Sequence, residues 1–332
     1  MCNYLNTFSR LYAINLNPSC QIDFVGYPPY THAISTEPRG IITSLHHTPF
    51  FIVDVFTEEK YTGNQLAVFL GEPDTETMQK LALEMNFSET TFITALEPTP
   101  EGYAVRIFTK VEELPFAGHP TLGTAYIIQR ELIKRPVKQV DLHLGVGTIP
   151  VTFETDGTLW MHQKPVRFGH VFDRSQIAPI LGLDTDDLDD RYPIQEASTG
   201  NPHMLAPIRS LDAVKRAVVD VPRWQQLLNA VQPELGVKSF SIFTAETVHA
   251  ENDLHVRAFG PLRGVMEDPA TGSAIGNLVG ADRLEKKRVE QGYAINRPSL
   301  LLLSARRHPD HIEIHVGGRV RMVAQGTLID ED

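Results

Sequence analysis

Cysteine is nearly missing from this sequence: the only two are Cys2 and Cys20, both close to the N-terminus. They supply no disulfide framework and no CxxC metal pattern, and no mechanism here can depend on a thiol in the core. Positive charge is also in deficit. The 30 Lys and Arg residues stand against 41 Asp and Glu, and the resulting formal charge of −11 repels phosphate backbones and anionic membrane surfaces. Nucleic acid and membranes are therefore not expected partners. No run of about 18 apolar residues occurs, and Met1 to Leu16 lack both a basic start and an apolar stretch of secretory length. The expected location is cytoplasmic. Neither GxGxxG nor a P-loop pattern is present, which leaves nucleotide cofactors without support, and no cofactor is expected. His46, His47, His308, His311 and His315 occur without HExxH or a paired Cys/His set, so they read as solvated surface histidines and no metal is expected.

What is present is ordinary globular material, 332 residues with 42% hydrophobic and 21% charged, enough for two domains. Residues 1–47 mix polar and aromatic side chains without period, and the Gly-Tyr-Pro-Pro run at 26–29 breaks any helix, so this stretch reads as a poorly ordered N-terminal extension. Regular patterning starts with the β-rich run Phe50–Phe56, the turn Thr62-Gly63-Asn64 and the apolar run Leu66–Leu70. Asp74 can cap a helix with apolar positions Met78, Leu81, Ala82 and Met85, and Asn86 suits its end. Strands are expected over Phe87–Thr94, Tyr103–Thr109, Val140–Leu144, Thr148–Phe153 and Thr158–His162. Between them, Gly118–Gly123 leads into an apolar helix through Ile128, with Pro120 in its first turn.

The same order recurs further along. Thr62-Gly63-Asn64 returns as Thr199-Gly200-Asn201, the helix before Glu89 as Trp224–Val231, and the strand Phe87–Thr94 as Lys238–Thr244. Arg106-Ile107-Phe108 returns as Arg257-Ala258-Phe259, and Ala117–Ala125 as Ala270–Leu278. A single match of this kind is common turn chemistry, but an ordered set argues for internal duplication.

Both mirrored turns run directly into apolar helices, whose free N–H groups and partial positive charge suit an anion. If the halves pack about a pseudo-twofold axis, the two helix starts face one cleft. The second turn, Glu267–Ala274, reads equally well as a plain helix cap through Asp268 or Thr271. Glu89 stands in the uncharged stretch Phe87–Ile93. Strand glutamates usually face solvent, and local pattern favours that reading; the alternative is a carboxyl partly withdrawn from water, with a raised pKa useful for shuttling protons. His119, at a helix start, is either a packing residue or a neutral imidazole able to donate or accept.

Three segments, Asn86–Phe92, Leu114–Gly123 and Glu267–Ala274, resemble the signature segments of the PhzF (phenazine biosynthesis-like) family. Gly63-Asn64, Gln291-Gly292, Arg297-Pro298-Ser299 and Gly317-Gly318 add to the resemblance, which covers residues 50–330 in order. It implies the diaminopimelate epimerase-like fold, an α/β (α+β) class with two pseudo-symmetric lobes. Each lobe is a curled, mostly antiparallel sheet around a central helix, and the active site lies between them. The expected lobes are residues 48–165, completed by a last strand at about 319–330, and residues 166–318. The epimerase relatives exchange protons through two cysteines, which neither lobe has here. The phenazine enzyme instead moves a hydrogen between ring carbons of a dihydro-hydroxyanthranilate with a glutamate.

By motif that glutamate is Glu89, which reverses the local reading. The resemblance implies Glu89, His119 and Asp268 as catalytic residues, and Ser88, Gly118, Gly272 and Ser273 as substrate-binding ones. Thr199–His203 departs from the family by carrying polar Asn201 and His203 where apolar residues are common, so the substrate is expected to differ. The implied function is a cofactor-free isomerase acting on a small conjugated or cyclic amino or hydroxy acid, in a homodimer. The alternatives are a lyase that expels hydroxyl with the same glutamate, and a non-catalytic small-molecule-binding or scaffold protein.

Overall fold

The protein, as a computed structural model, is described for residues 48–277, 287–308 and 312–329; the expected extension over 1–47 lies outside the described residues. The first half runs β1 (Pro49–Val55), β2 (Asn64–Leu70), α1 (Thr75–Met85), β3 (Glu89–Ile93), β4 (Tyr103–Phe108), β5 (Glu113–Leu114), α2 (Gly118–Ile127), β6 (Gln139–Leu144), β7 (Gly147–Phe153) and β8 (Leu159–Gln163). The second half runs β9 (Arg167–Phe172), α3 (Arg174–Ile177), β10 (Ile194–Ser198), β11 (Pro202–Pro207), α4 (Leu211–Arg216), α5 (Val221–Val231), β12 (Ser239–Thr244), β13 (Leu254–Gly260), β14 (Val265–Asp268), α6 (Gly272–Asn277), β15 (Lys287–Gln291), β16 (Ser299–Arg307) and β17 (Ile312–Gly318). A last strand, β18 (Val320–Thr327), follows.

The halves repeat each other pairing by pairing. β1 and β2 are antiparallel, as are β10 and β11; β2 lies parallel to β3, as β11 does to β12. β4 lies parallel to β6, as β13 does to β15, and the remaining steps through β7–β8 and β16–β17 are antiparallel. Even the register repeats. Leu66 of β2 stands opposite Glu89, and His203 of β11, equally far past its Thr-Gly-Asn turn, stands opposite Ser239. The two halves join where β8 and β17 pair, His162 facing His315. β18 then pairs antiparallel with β1, as β9 does with β10, so the last strand belongs with the first half.

The repeated Arg-x-Phe motif has a side-chain cause. Arg106 on β4 gives two N–H groups to Glu113 at 2.8 and 2.7 Å and lies 5.1 Å over the Phe108 ring. Arg257 on β13 does the same to Glu267, at 3.0 and 2.8 Å, and lies 5.0 Å over Phe259. A planar guanidinium can hold a carboxylate with one edge and an aromatic face with its plane, so the motif pins each β4–β5-type hairpin to its sheet.

α2 forms the centre of the first half. All its residues except Tyr126 are buried, as expected for a helix that is apolar all round and enclosed by sheet. Its buried hydroxyls are satisfied, Thr121 by the Ala117 carbonyl at 2.7 Å and Thr124 by Thr91 at 2.8 Å. Gly123 sets the approach: a Cβ there would sit 2.6 Å from Leu66 Cδ2 and 3.0 Å from Val55 Cγ2. α1 follows its sequence signals closely. The Asp74 side chain accepts from the Thr77 N–H at 2.9 Å, Asn86 closes the helix in the left-handed region at φ 55°, and Met78 and Ala82 face Phe69, Phe92 and Phe108.

Several boundaries differ from expectation. The strand expected from Phe87 starts at Glu89, and the helix expected through Ile128 ends at Ile127 and loosens into a π turn over Ile128–Ile133. The helix expected at Trp224–Val231 starts at Val221 because Asp220 caps it, accepting from Arg223 N–H at 3.0 Å. The histidines are not isolated either. Strand pairing brings His315 within 4.9 Å of His162 between ring centroids, and Glu313 lies between His308 at 3.1 Å and His315 at 3.6 Å. His162, Glu313 and His315 offer ligand-capable atoms within 4.8 Å of one another. His46, His47 and His311 lie outside the described residues.

Candidate active site

α2 and α6 start at the same place in the molecule. A Cβ on Gly118 would lie 2.8 Å from Gly272 Cα and 2.9 Å from the Ser273 nitrogen, so the helix starts touch and only glycine fits there. Around this contact opens a cleft lined by residues of both halves. Its walls come in pairs from the two halves. Gly118-His119 and Gly272-Ser273 are the first two residues of α2 and α6, one position off the register of the sequence repeat. Thr109 and Gly260 follow the two Arg-x-Phe motifs, and Glu89 and Ser239 stand at the starts of β3 and β12.

The side chains that meet there are unusual in what they leave unpaired. Glu89, the first residue of β3, is 15% exposed, while Oε2 is buried without a hydrogen-bond partner and lies 3.5 Å from His119 Nε2, itself buried and unpartnered. Asn64, which follows Gly63 in the left-handed region at φ 72°, begins β2 with its amide pointing across the halves. It donates to Asp268 Oδ1 at 2.9 Å and the Ala270 carbonyl at 3.0 Å, and stands 3.1 Å from His119 Nδ1. Asp268 also accepts from Ser88 Oγ at 2.8 Å and from Thr271 Oγ1. Behind this turn, Gln291 donates to the Asp268 carbonyl at 2.8 Å and accepts from the Thr271 N–H at 3.2 Å. Gln163 donates to the Gly272 carbonyl at 3.1 Å.

Burial drives the Glu89 carboxyl up to about 8, the neighbouring Asp268 charge adds to the rise, and the Arg263 charge opposes it. Burial also raises Asp268, against the hydrogen bonds from Thr271, Ser88 and Asn64. Burial pushes His119 down to about 3, against a hydrogen bond to the Gln65 backbone. At neutral pH the cluster therefore holds a protonated Glu89 beside an uncharged imidazole. The Asn64 amide has two hydrogens, which it shares among Asp268, the Ala270 carbonyl and His119 Nδ1. The ring meets the Asn64 amide through Nδ1 and turns Nε2 toward Glu89 Oε2.

Six of the residues singled out from sequence, Glu89, Gly118, His119, Asp268, Gly272 and Ser273, line the cleft. Ser88 stands behind it, holding Asp268. The cap reading of Asp268 and Thr271 does not hold: among the described residues Asp268 takes side-chain donors, and Thr271 bonds Asp268 and Gln291. Sequence reasoning missed Asn64, which it read as turn chemistry, and Gln163, Gln291, Ser239 and Arg263. Two of these carried a signal: Asn64 through its place in the repeated Thr-Gly-Asn and in Gly63-Asn64, and Gln291 through Gln291-Gly292 in the family resemblance.

A duplicated α/β fold whose halves close on one buried acid–imidazole pair defines the two-lobed, epimerase-like class of proteins. Solved structures agree. The Bacillus anthracis phenazine biosynthesis protein of the PhzF family superposes with a TM-score of 0.74 at 25% identity, covering 86% of this chain and 99% of that one. The fold alone is shared with a probable proline racemase from Agrobacterium radiobacter, TM-score 0.58 at 9% identity, covering 86% and 93%. The model of the phenazine biosynthesis-like protein family matches residues 53–326, and the chain belongs to that family. It is 33% identical to the trans-2,3-dihydro-3-hydroxyanthranilate isomerase of Pseudomonas aeruginosa, over 83% of this chain and 98% of the relative. It is also 30% identical to an uncharacterized isomerase of Mesorhizobium japonicum, over 84% and 98%.

Proposed function

We propose that this protein is an isomerase that moves a hydrogen from one carbon to another of a small acid bound between its halves, with Glu89 carrying the proton. The observation that carries this reading is an asymmetry within the repeat. Glu89 and Ser239 hold equivalent positions at the starts of β3 and β12, and both line the cleft. One wall thus offers a group that titrates near neutrality, and the other offers a hydroxyl that does not. Racemisation by two carriers needs a base on each face; a single carrier suits a shift along one face.

The chemistry follows from the group's raised pKa. Ionised Glu89 takes a proton from a C–H activated by conjugation, the C–H electron pair enters the conjugated system, and the carboxylic acid returns the proton at another carbon of the same face. No atom is lost and no oxidant is needed. His119 Nε2 holds the Glu89 hydrogen between the two events, and the N–H groups at the start of α2 face the charge that builds up on the substrate.

The substrate named for the P. aeruginosa relative, trans-2,3-dihydro-3-hydroxyanthranilate, is the first to try. In heavy water, the parent enzyme should place solvent deuterium in the product, and Glu89→Gln should not. Exchange at the parental rate in that variant would rule out Glu89 as carrier. A product lighter by one water would replace the isomerase with a lyase.

A further inference from the structure

Arg263 is the only Lys or Arg among the described residues lining the cleft, and none of the chemistry above uses it. It sits in the turn between β13 and β14, where Gly264, left-handed at φ 77°, closes the turn. That hairpin meets its counterpart in the other half, the β4–β5 hairpin: Arg263 Nη1 donates to Glu112 Oε1 at 3.1 Å. Arg263 Nη2 donates to Asn201 Oδ1 at 3.0 Å. The guanidinium is 13% exposed, and its Nε–H is buried without a partner. Beside it in the wall, His203 is 3% exposed with Nδ1 equally unpartnered, and its Nε2 lies 3.5 Å from Ser273 Oγ.

Buried polar groups left unpaired cost on the order of 1–3 kcal/mol each, so a wall with two of them is built for a ligand that supplies the missing partners. Nε–H can only donate, and the guanidinium to which it belongs carries a full positive charge. The ligand must therefore present an acceptor with negative charge. One guanidinium balances one such charge. A dianion such as phosphate would set a second, unbalanced charge near Glu89 and Asp268, in a protein that is already acidic. Two oxygens in one plane fit the fork geometry of the guanidinium best.

We infer that Arg263, braced by Asn201 and flanked by His203, is a carboxylate-binding subsite that anchors the substrate opposite Glu89. This rests on the isomerase reading of the cleft, and it narrows the substrate class to acids whose carboxylate sits on the second-half wall, away from the reacting carbon. It also gives Asn201 and His203, the polar departures in the repeated turn, a use. Glu112 becomes a competitor: it holds part of the guanidinium that the ligand would take, while also accepting from Lys238 at 3.0 and 3.2 Å.

The test is calorimetric titration of the full chain with benzoate, anthranilate and the uncharged benzamide, on the parent and on Arg263→Gln, Glu112→Gln and Glu89→Gln. Both acids should bind the parent more tightly than benzamide. Arg263→Gln should lose about tenfold or more for the acids and little for benzamide. Glu112→Gln, which releases the guanidinium, should bind the acids about two- to fivefold more tightly, a gain that a damaged fold cannot imitate. Parental acid affinity in a folded Arg263→Gln, no gain in Glu112→Gln, or equal binding of benzoate and benzamide to the parent would each overturn the assignment. Glu89→Gln separates the two readings. If it binds the acids but no longer exchanges deuterium, both stand; if it binds and still exchanges, the proton carrier is wrong and the subsite survives.

Discussion

Removing the buried acid at the centre of the site should make this protein more stable in alkaline solution. In an unfolded chain the Glu89 carboxyl loses its proton near 4.5, whereas in the folded protein burial and Asp268 hold that proton to about 8. Between those values the folded state binds a proton that the unfolded state does not. Folding stability from this group is therefore fully present below pH 4.5 and falls as pH rises toward 8, at about 1.36 kcal/mol per pH unit. Over the whole window the ceiling is on the order of 5 kcal/mol. Glu89→Gln keeps the shape and an N–H able to face His119 Nε2, but has no proton to lose.

The two proteins should thus melt alike near pH 5 and diverge as pH rises. With about 2–4 °C of melting temperature per kcal/mol for a domain of somewhat smaller size, an advantage of at least about 5 °C for the variant at pH 8.5 is expected. Thermal melts in matched buffers, with urea titrations at both pH values, measure it. A difference between the proteins that stays flat with pH, or that favours the parent as pH rises, would refute the assignment of a raised pKa to Glu89. Activity should move the opposite way, so the site would trade stability for function.

Two further outcomes follow from the same geometry. If ionised Glu89 begins the reaction, kcat/KM should climb with pH to a midpoint of about 8 in the parent and lose that limb when Glu89 is replaced; a profile flat from pH 6 to 9 would place the first step elsewhere. Gly118→Ala should destabilise the protein by about 2 kcal/mol or more, because the new methyl meets the Gly272 and Ser273 backbone at 2.8–2.9 Å and backbone cannot rotate away; circular dichroism melts would show it.

Much of this arrangement is legible in the sequence, but unevenly. α1 could be read from both ends because Asp74 and Asn86 act through their own neighbours along the chain. The duplication could be read because Arg106 and Arg257 carry out the same local task, each with a glutamate and a phenylalanine of its own hairpin. Glu89, His119 and Asp268 were found through family resemblance and not through pattern; the local pattern at Glu89 pointed to solvent. Arg263 was invisible for a related reason. Its turn is evident in Gly260–Gly264, yet the direction of its side chain depends on a hairpin from the other half. The bonds from Asn64 and Ser88 to Asp268 are likewise products of docking, and the facing of His162 and His315 is a product of strand pairing. Short-range signals survive in a sequence; contacts made by assembly do not.

The return of β18 to β1 bears on how the protein is made. Strand β1 offers one edge to β2 and keeps the other open until Val320–Thr327 has been synthesised. At about 5–20 residues per second, that edge waits on a ribosome for roughly 10–50 s. Cutting the gene between β8 and β9 would not yield two working lobes either. The first piece would lack its closing strand, and the second would carry it with nothing to pair. The polypeptide is thus stitched shut by its final strand, and the duplicated halves no longer separate along the line that their ancestry would suggest.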